Sequence, residues 1–169
     1  CALPISGPSG DIPVSSATFT FTGAAAGDRY ECQVDGAATW AACTSPKAFS
    51  GLADGPHSLA VRLVDWVGNT GTVVTRSYTV DTVPPTSAAS LTNASPADGD
   101  ITNATGATMT FTGADTGELY ACRTDGGAWA TCTSPAALTG LADGTHTFAV
   151  ATADAAGNRG DRKSTRLNS

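Results

Sequence analysis

A set of short motifs, written twice in the same order at a fixed interval, constrains this chain more than anything else in it. Ala17-Thr-Phe-Thr-Phe-Thr-Gly23 returns as Ala107-Thr-Met-Thr-Phe-Thr-Gly113, and Tyr30-Glu-Cys-Gln-Val-Asp-Gly36 as Tyr120-Ala-Cys-Arg-Thr-Asp-Gly126, both after 90 residues. Further on the interval is 89: Trp40 and Cys43 are answered by Trp129 and Cys132, Gly51-Leu-Ala-Asp-Gly55 by Gly140-Leu-Ala-Asp-Gly144, and Asp65-Trp-Val-Gly-Asn69 by Asp154-Ala-Ala-Gly-Asn158. The lost residue falls between Gly36 and Trp40, where a turn is expected and solvated backbone tolerates deletion. A unit of this length is too long for a solenoid repeat and suits a small free-standing domain. Val80-Asp-Thr-Val-Pro-Pro-Thr86 separates the copies, and its paired prolines cannot donate ladder hydrogen bonds and stiffen an extended linker.

Within each copy the apolar period is two. Thr18-Phe-Thr-Phe-Thr22 alternates strictly, as do Tyr30, Cys32 and Val34 against Arg29, Glu31 and Gln33, the pattern of strands with one buried face. Leu59, Val61 and Leu63 repeat the pattern, matched by Phe148 and Val150. Gly23, Asp35-Gly36, Asp54-Gly55 and Gly68-Asn69 punctuate the runs with turn signals. No window carries sustained apolar spacing at helical period. Short alternating strands separated by turns predict an all-β fold of two tandem immunoglobulin-like sandwiches, residues 1–82 and 83–160. The first would end on a strand at Thr72–Val80. The second would be truncated before that last strand.

The truncation rests on residues 161–169, Asp161-Arg-Lys-Ser-Thr-Arg-Leu-Asn-Ser169, which hold three of the nine basic residues and resemble nothing upstream. GAT CGG AAG AGC ACA CGT CTG AAC TCC, a common sequencing adapter, translates to this same nonapeptide. The tail is therefore expected to be adapter-derived, with Gly160 the last native residue, and it is set aside from fold reasoning as a cloning scar would be. The opening at Cys1, without a Met, likewise reads as a chain cut from something longer.

Four of the five cysteines belong to the repeat. If Cys32 opposes Cys43 across a hairpin, Val34 faces Ala41 and a turn remains at Gly36–Thr39. If Cys122 opposes Cys132, the turn is Gly126–Ala128. Opposed strand residues lie close enough for a disulfide, so bonds Cys32–Cys43 and Cys122–Cys132 are expected. A zinc site is the competing reading, but the close cysteine pairs of zinc ribbons and a nearby His are missing. Disulfides imply an oxidising compartment and hence secretion or surface display. Cys1 stands outside the repeat, its partner expected upstream.

Nine Lys and Arg against 15 Asp and Glu give a net charge of −6, which repels nucleic acid at most approaches. No apolar run approaches the roughly 20 residues of a membrane helix, and no basic-then-apolar leader pattern occurs.

The motifs Tyr30–Gly36, Trp40–Pro46, Gly51–His57, Asp65–Asn69 and Val80–Pro85, in this order, resemble bacterial Ig-like repeat domains of large secreted or cell-surface proteins. The resemblance covers residues 17–85 and 107–158. It implies a structural or adhesive spacer module whose partners are neighbouring repeats in the same chain, with no catalytic residues and no cofactor.

Several residues could carry more. His57 and His146 open equivalent strands after an Asp-Gly turn, with no nucleophile and acid evidently arranged for a triad, and read as strand-end packing. Thr44-Ser-Pro46 and Thr133-Ser-Pro135 read as turns rather than active serines. Asp65, Asn69 and Asp81 could offer oxygens to calcium at a domain junction, which would stiffen the rod, although Asp and Asn beside Gly commonly bond their own backbone. Trp40 and Trp129 are expected to pack on the disulfide or hairpin. Trp66, unique to one copy and in a loop, is the better candidate for a contact surface such as a carbohydrate ligand.

Overall fold

The computed structural model describes residues 3–100 and 103–168, so Cys1 lies outside the described residues. Among the described residues all regular elements are strands. The chain divides into two compact units, Cys1–Thr82 and Val83–Ser169.

In the first unit, β1 (Ile5–Ser6), β3 (Ser16–Phe21) and β6 (Lys47–Ser50) form one sheet in the order β1-β3-β6. The other sheet runs β2-β8-β7-β4-β5, from β2 (Gly10–Ile12), β8 (Val74–Val80), β7 (Gly55–Val64), β4 (Arg29–Val34) and β5 (Ala41–Cys43). All pairings are antiparallel except β2 with β8, which is parallel, so the leading segment crosses from one sheet to the other. The alternation in β3 buries Ala17, Phe19 and Phe21 and leaves Ser16, Thr18 and Thr20 exposed. These meet Leu59 and Val61 of β7 and Tyr78 and Val80 of β8 in one core. Phe21 packs edge-on against Tyr30 at 4.8 Å between centroids, and Phe19 lies tilted against Tyr78 at 5.4 Å. Full burial of such side chains contributes about 1.5–3 kcal/mol each.

The second unit repeats the plan. Its sheets are β9-β10-β13, from β9 (Ser90–Ser95), β10 (Gly106–Thr112) and β13 (Ala136–Thr139), and β12-β11-β14-β15, from β12 (Ala130–Cys132), β11 (Leu119–Thr124), β14 (Thr145–Ala153) and β15 (Arg159–Asn168). Met109, Phe111, Phe148, Val150 and Leu167 form its core at the positions of Phe19, Phe21, Leu59, Val61 and Tyr78. Where Phe19 shrinks to Met109, Leu59 grows to Phe148, an exchange that keeps core volume roughly constant.

The sheet edge that was expected to lie open is paired in this chain by β15. Residues 159–168 pair with β14 in the register His146↔Leu167, Phe148↔Thr165 and Val150↔Lys163, which repeats His57↔Tyr78, Leu59↔Arg76 and Val61↔Val74 in the first unit. Ladder hydrogen bonds are made by backbone, so a segment unlike the first copy in sequence can still complete the sheet. From Ser164 on its alternation also fits: Thr165 and Leu167 turn inward while Ser164 and Arg166 stay exposed, whereas Lys163, opposite Val150, remains exposed. Leu167 is 1% exposed, against 5% for Tyr78 at the equivalent place. One large apolar residue at the right register therefore covers the core that was expected to lie open.

Candidate functional site

The cysteine hairpins differ from expectation in register. Cys32 pairs with Ala41 and Cys43 with Tyr30, two residues from direct opposition; in the second unit Cys122 pairs with Ala130 and Cys132 with Tyr120. The bridges are diagonal, with Cα atoms 5.8 Å apart in both hairpins and S–S distances of 2.06 and 1.98 Å. Diagonal residues lie on the same face of the pair, which keeps both sulfurs pointing inward. The register moves because the turn sits earlier than supposed. Asp35 and Gly36 both have positive φ, 50° and 65°, and Ala37 N–H donates to Val34 O at 2.9 Å. That is the primed turn an Asp-Gly pair favours. Three further residues precede β5. Asp125, Gly126 and Gly127 repeat the turn.

The same Asp anchors the histidine. His57 Nδ1 lies 2.9 Å from Asp35 Oδ2 and Nε2 lies 2.8 Å from Ala53 O, while Ser58 N–H donates to Asp35 Oδ1 at 2.7 Å. His146 repeats this with Asp125 (2.7 Å), Ala142 O (2.8 Å) and Thr147 N–H (2.7 Å). The carbonyl of Ala53 and the Asp35 carboxylate raise the His57 pKa; for His146 Asp125 leads, followed by Ala142. Burial works against the Asp35 charge, but His57 and Ser58 outweigh it and lower its pKa; His146 and Thr147 do so for Asp125. Neither imidazole has a nitrogen directed at a hydroxyl. Each ties the hairpin turn to the start of the neighbouring strand.

The serines are also committed. Phe21 N–H donates to Ser45 Oγ at 2.8 Å and Phe111 N–H to Ser134 Oγ at 2.9 Å, so each Ser-Pro turn is pinned to the opposite sheet. In the Asp-x-x-Gly-Asn turns, Asp65 Oδ1 accepts from Val67 N–H and Asn69 N–H, and Oδ2 from the Asn69 side-chain amide at 2.8 Å. Asn69 and the turn amides lower the Asp65 pKa. Asp154 with Asn158 repeats the arrangement. Both oxygens of Asp65 accept hydrogen bonds inside its turn, as expected of an Asp close to a glycine turn.

Trp40 and Trp129 meet guanidinium groups. Arg62 lies 4.3 Å over the Trp40 ring, and two of its N–H groups converge on Glu31 Oε2 at 3.0 and 2.8 Å. The hydrogen bonds from Arg62, helped by Arg29, lower the Glu31 pKa. In the second unit Ala121 and Ala151 occupy the positions of Glu31 and Arg62, and Trp129 is covered instead by Arg123 at 4.7 Å and Arg159 at 5.4 Å. Comparing the copies could not reveal these pairs, because the covering residue comes from a different strand each time. Trp66 contrasts with both, at 80% exposure beside Val67 at 58%.

No family model matches the chain, and no curated protein matches it. Among solved structures it is similar to the fibronectin(III)-like modules of Clostridium thermocellum CbhA, with a TM-score of 0.68 and 16% identity, covering 99% of this chain and 93% of that one. A cytokine receptor complex aligns with a TM-score of 0.36 at 16% identity, covering 98% of this chain and 96% of that one. Domains 7, 8 and 9 of the S-layer protein SbsC align with a TM-score of 0.33 at 13% identity, covering 95% and 57%. The first likeness places the chain among all-β, fibronectin(III)-like folds, the coarse form of the immunoglobulin-like sandwich read from the repeat.

Proposed function

We propose that this chain is a tandem pair of Ig-like modules from an extracellular bacterial protein, serving as a structural or adhesive spacer between neighbouring repeats and performing no catalysis. One observation supports this most. The groups able to do chemistry occur twice, at equivalent positions, and each is bonded within its own unit: His57 and His146, Ser45 and Ser134, Asp65 and Asp154. Duplication with inward bonding is what a fold-maintaining role requires. A catalytic group needs a face open to substrate. The likeness to fibronectin(III)-like modules and the two disulfides support an extracellular module.

Carbohydrate binding, in a module attached to a secreted enzyme, is the second reading, favoured by the exposed indole of Trp66. Both are tested by passing the oxidised chain over insoluble cellulose, xylan and chitin and over a glycan array. The spacer reading expects no retention above a bovine albumin control. Retention that disappears in Trp66→Ala would replace it with carbohydrate binding.

A further inference from the structure

In both units an imidazole sits between two groups that can only accept hydrogen bonds, a carboxylate at Nδ1 and a backbone carbonyl at Nε2. A neutral imidazole has one N–H and one lone pair, so either tautomer would turn a lone pair on an acceptor. Only the imidazolium makes both bonds. The rings are partly covered, with side-chain exposures of 13% and 15%. The aspartates are 43% and 47% exposed and stay accessible to protons.

We propose that His57 with Asp35 and Ala53, and His146 with Asp125 and Ala142, form a proton-operated clip in each unit. It is closed while the ring carries both protons and released when one leaves. The clip holds the Asp-Gly turn after β4 or β11 to the turn that starts β7 or β14, so its release loosens one end of the sandwich.

Around His57, the turn before β7 brings Asp54, whose carboxylate is engaged by Thr82, and β8 brings Tyr78, stacked at 5.7 Å between centroids. Burial, then Asp35, raises the Tyr78 pKa and keeps it a neutral phenol. Around His146, the corresponding turn carries Asp143, and β15 places Leu167 opposite the histidine and Arg166 opposite Thr147. β15 also carries Lys163, Arg162 and Arg159, opposite Val150, Ala151 and Ala153, and β11 carries Arg123 opposite Ala149, all farther along the ladder from His146 than Arg166.

Histidines held in the charged form contribute stability that is complete below their ordinary value of 6.5 and is lost as pH rises through the folded-state titration. The aspartates contribute stability that is complete above 3.8 and is lost as pH falls through their lowered folded-state values. The clips are therefore strongest between these limits, and the chain is firmer in mildly acidic than in alkaline surroundings.

The experiment is imidazole ¹H–¹⁵N NMR of the full oxidised chain from about pH 5 to about pH 9, with denaturant unfolding over the same range for the wild type and for His57→Gln combined with His146→Gln. Both ring nitrogens of each histidine should be protonated at about pH 6.5, with carboxylate and carbonyl partners, and the wild type should weaken as pH rises. Each unit by which an imidazole titrates above its unfolded midpoint corresponds to a tenfold change in that unit's folding equilibrium. The double variant should show a flattened profile. A neutral tautomer at about pH 6.5, or an equally steep profile in a folded double variant, would overturn the proposal. Should the variant not fold, the wild-type NMR titration decides alone.

Discussion

Thr165 and Leu167 stand two residues apart on β15 and fill their places unequally. Leu167 supplies the apolar volume that Tyr78 gives the first unit, and is as well buried. Thr165 stands where Arg76 reaches across to Ile5 O at 3.2 Å, and its own hydroxyl is buried without a hydrogen-bond partner among the described residues. An orphaned hydroxyl costs about 1–3 kcal/mol, and valine has nearly the same shape without it. We therefore expect Thr165→Val to stabilise the second unit by about 1 kcal/mol, read as a higher denaturant midpoint for its transition. An unchanged or lowered midpoint would mean that the hydroxyl has a partner in solution.

The hairpin and the closing strand are the two elements on which each unit depends most visibly. The disulfides close loops with sequence separations of 11 and 10 residues. Chain-entropy reasoning for loops of this size gives about 3 kcal/mol per bond. Replacing Cys32 and Cys43 by Ala should destabilise the first unit by about that amount while the second unit's transition stays in place, as followed by denaturant melting with unit-specific hydrogen exchange. Removing residues 161–168 should do more. It strips the ladder from β14 and uncovers Phe148 and Val150, leaving an open sheet edge inviting intermolecular pairing. The shortened chain should lose the cooperative transition of the second unit, keep that of the first, and aggregate at lower concentration by light scattering. An intact second transition would show that β15 contributes little.

For the whole molecule, acidic charge and turn-forming carboxylates set what the chain can attract. A net charge of −6 favours cations over polyanions, yet Asp65 and Asp154 already accept hydrogen bonds from their own turns. Calcium in excess should move the melting temperature by no more than about 1 °C, since stabilisation by mass action requires a site that prefers the folded state. Scanning calorimetry with and without calcium checks this. A saturable rise of several degrees, lost in Asp65→Ala or Asp81→Ala, would restore the junction-ligand reading.

The repeat, the strand alternation and the core positions were legible in the sequence because each follows from local chemistry: period two marks a half-buried strand, and Asp-Gly marks a turn with positive φ. The correspondence of Phe19 with Met109 and of Leu59 with Phe148 could be read from alignment alone. The disulfide partners were also legible, but their register was not, because pairing depends on where the turn closes and the primed turn at Asp35-Gly36 lies two residues earlier than symmetry about the cysteines implies. That residues 161–168 would complete the sheet was not legible for a related reason. Their side chains differ from those of β8, whereas strand completion is decided by backbone hydrogen bonds and one well-placed leucine. The His–Asp clips, Arg62 with Trp40 and Arg159 with Trp129 join residues 21 to 30 positions apart. Such contacts arise only when the sheet brings distant segments side by side, and the tertiary structure alone decided them.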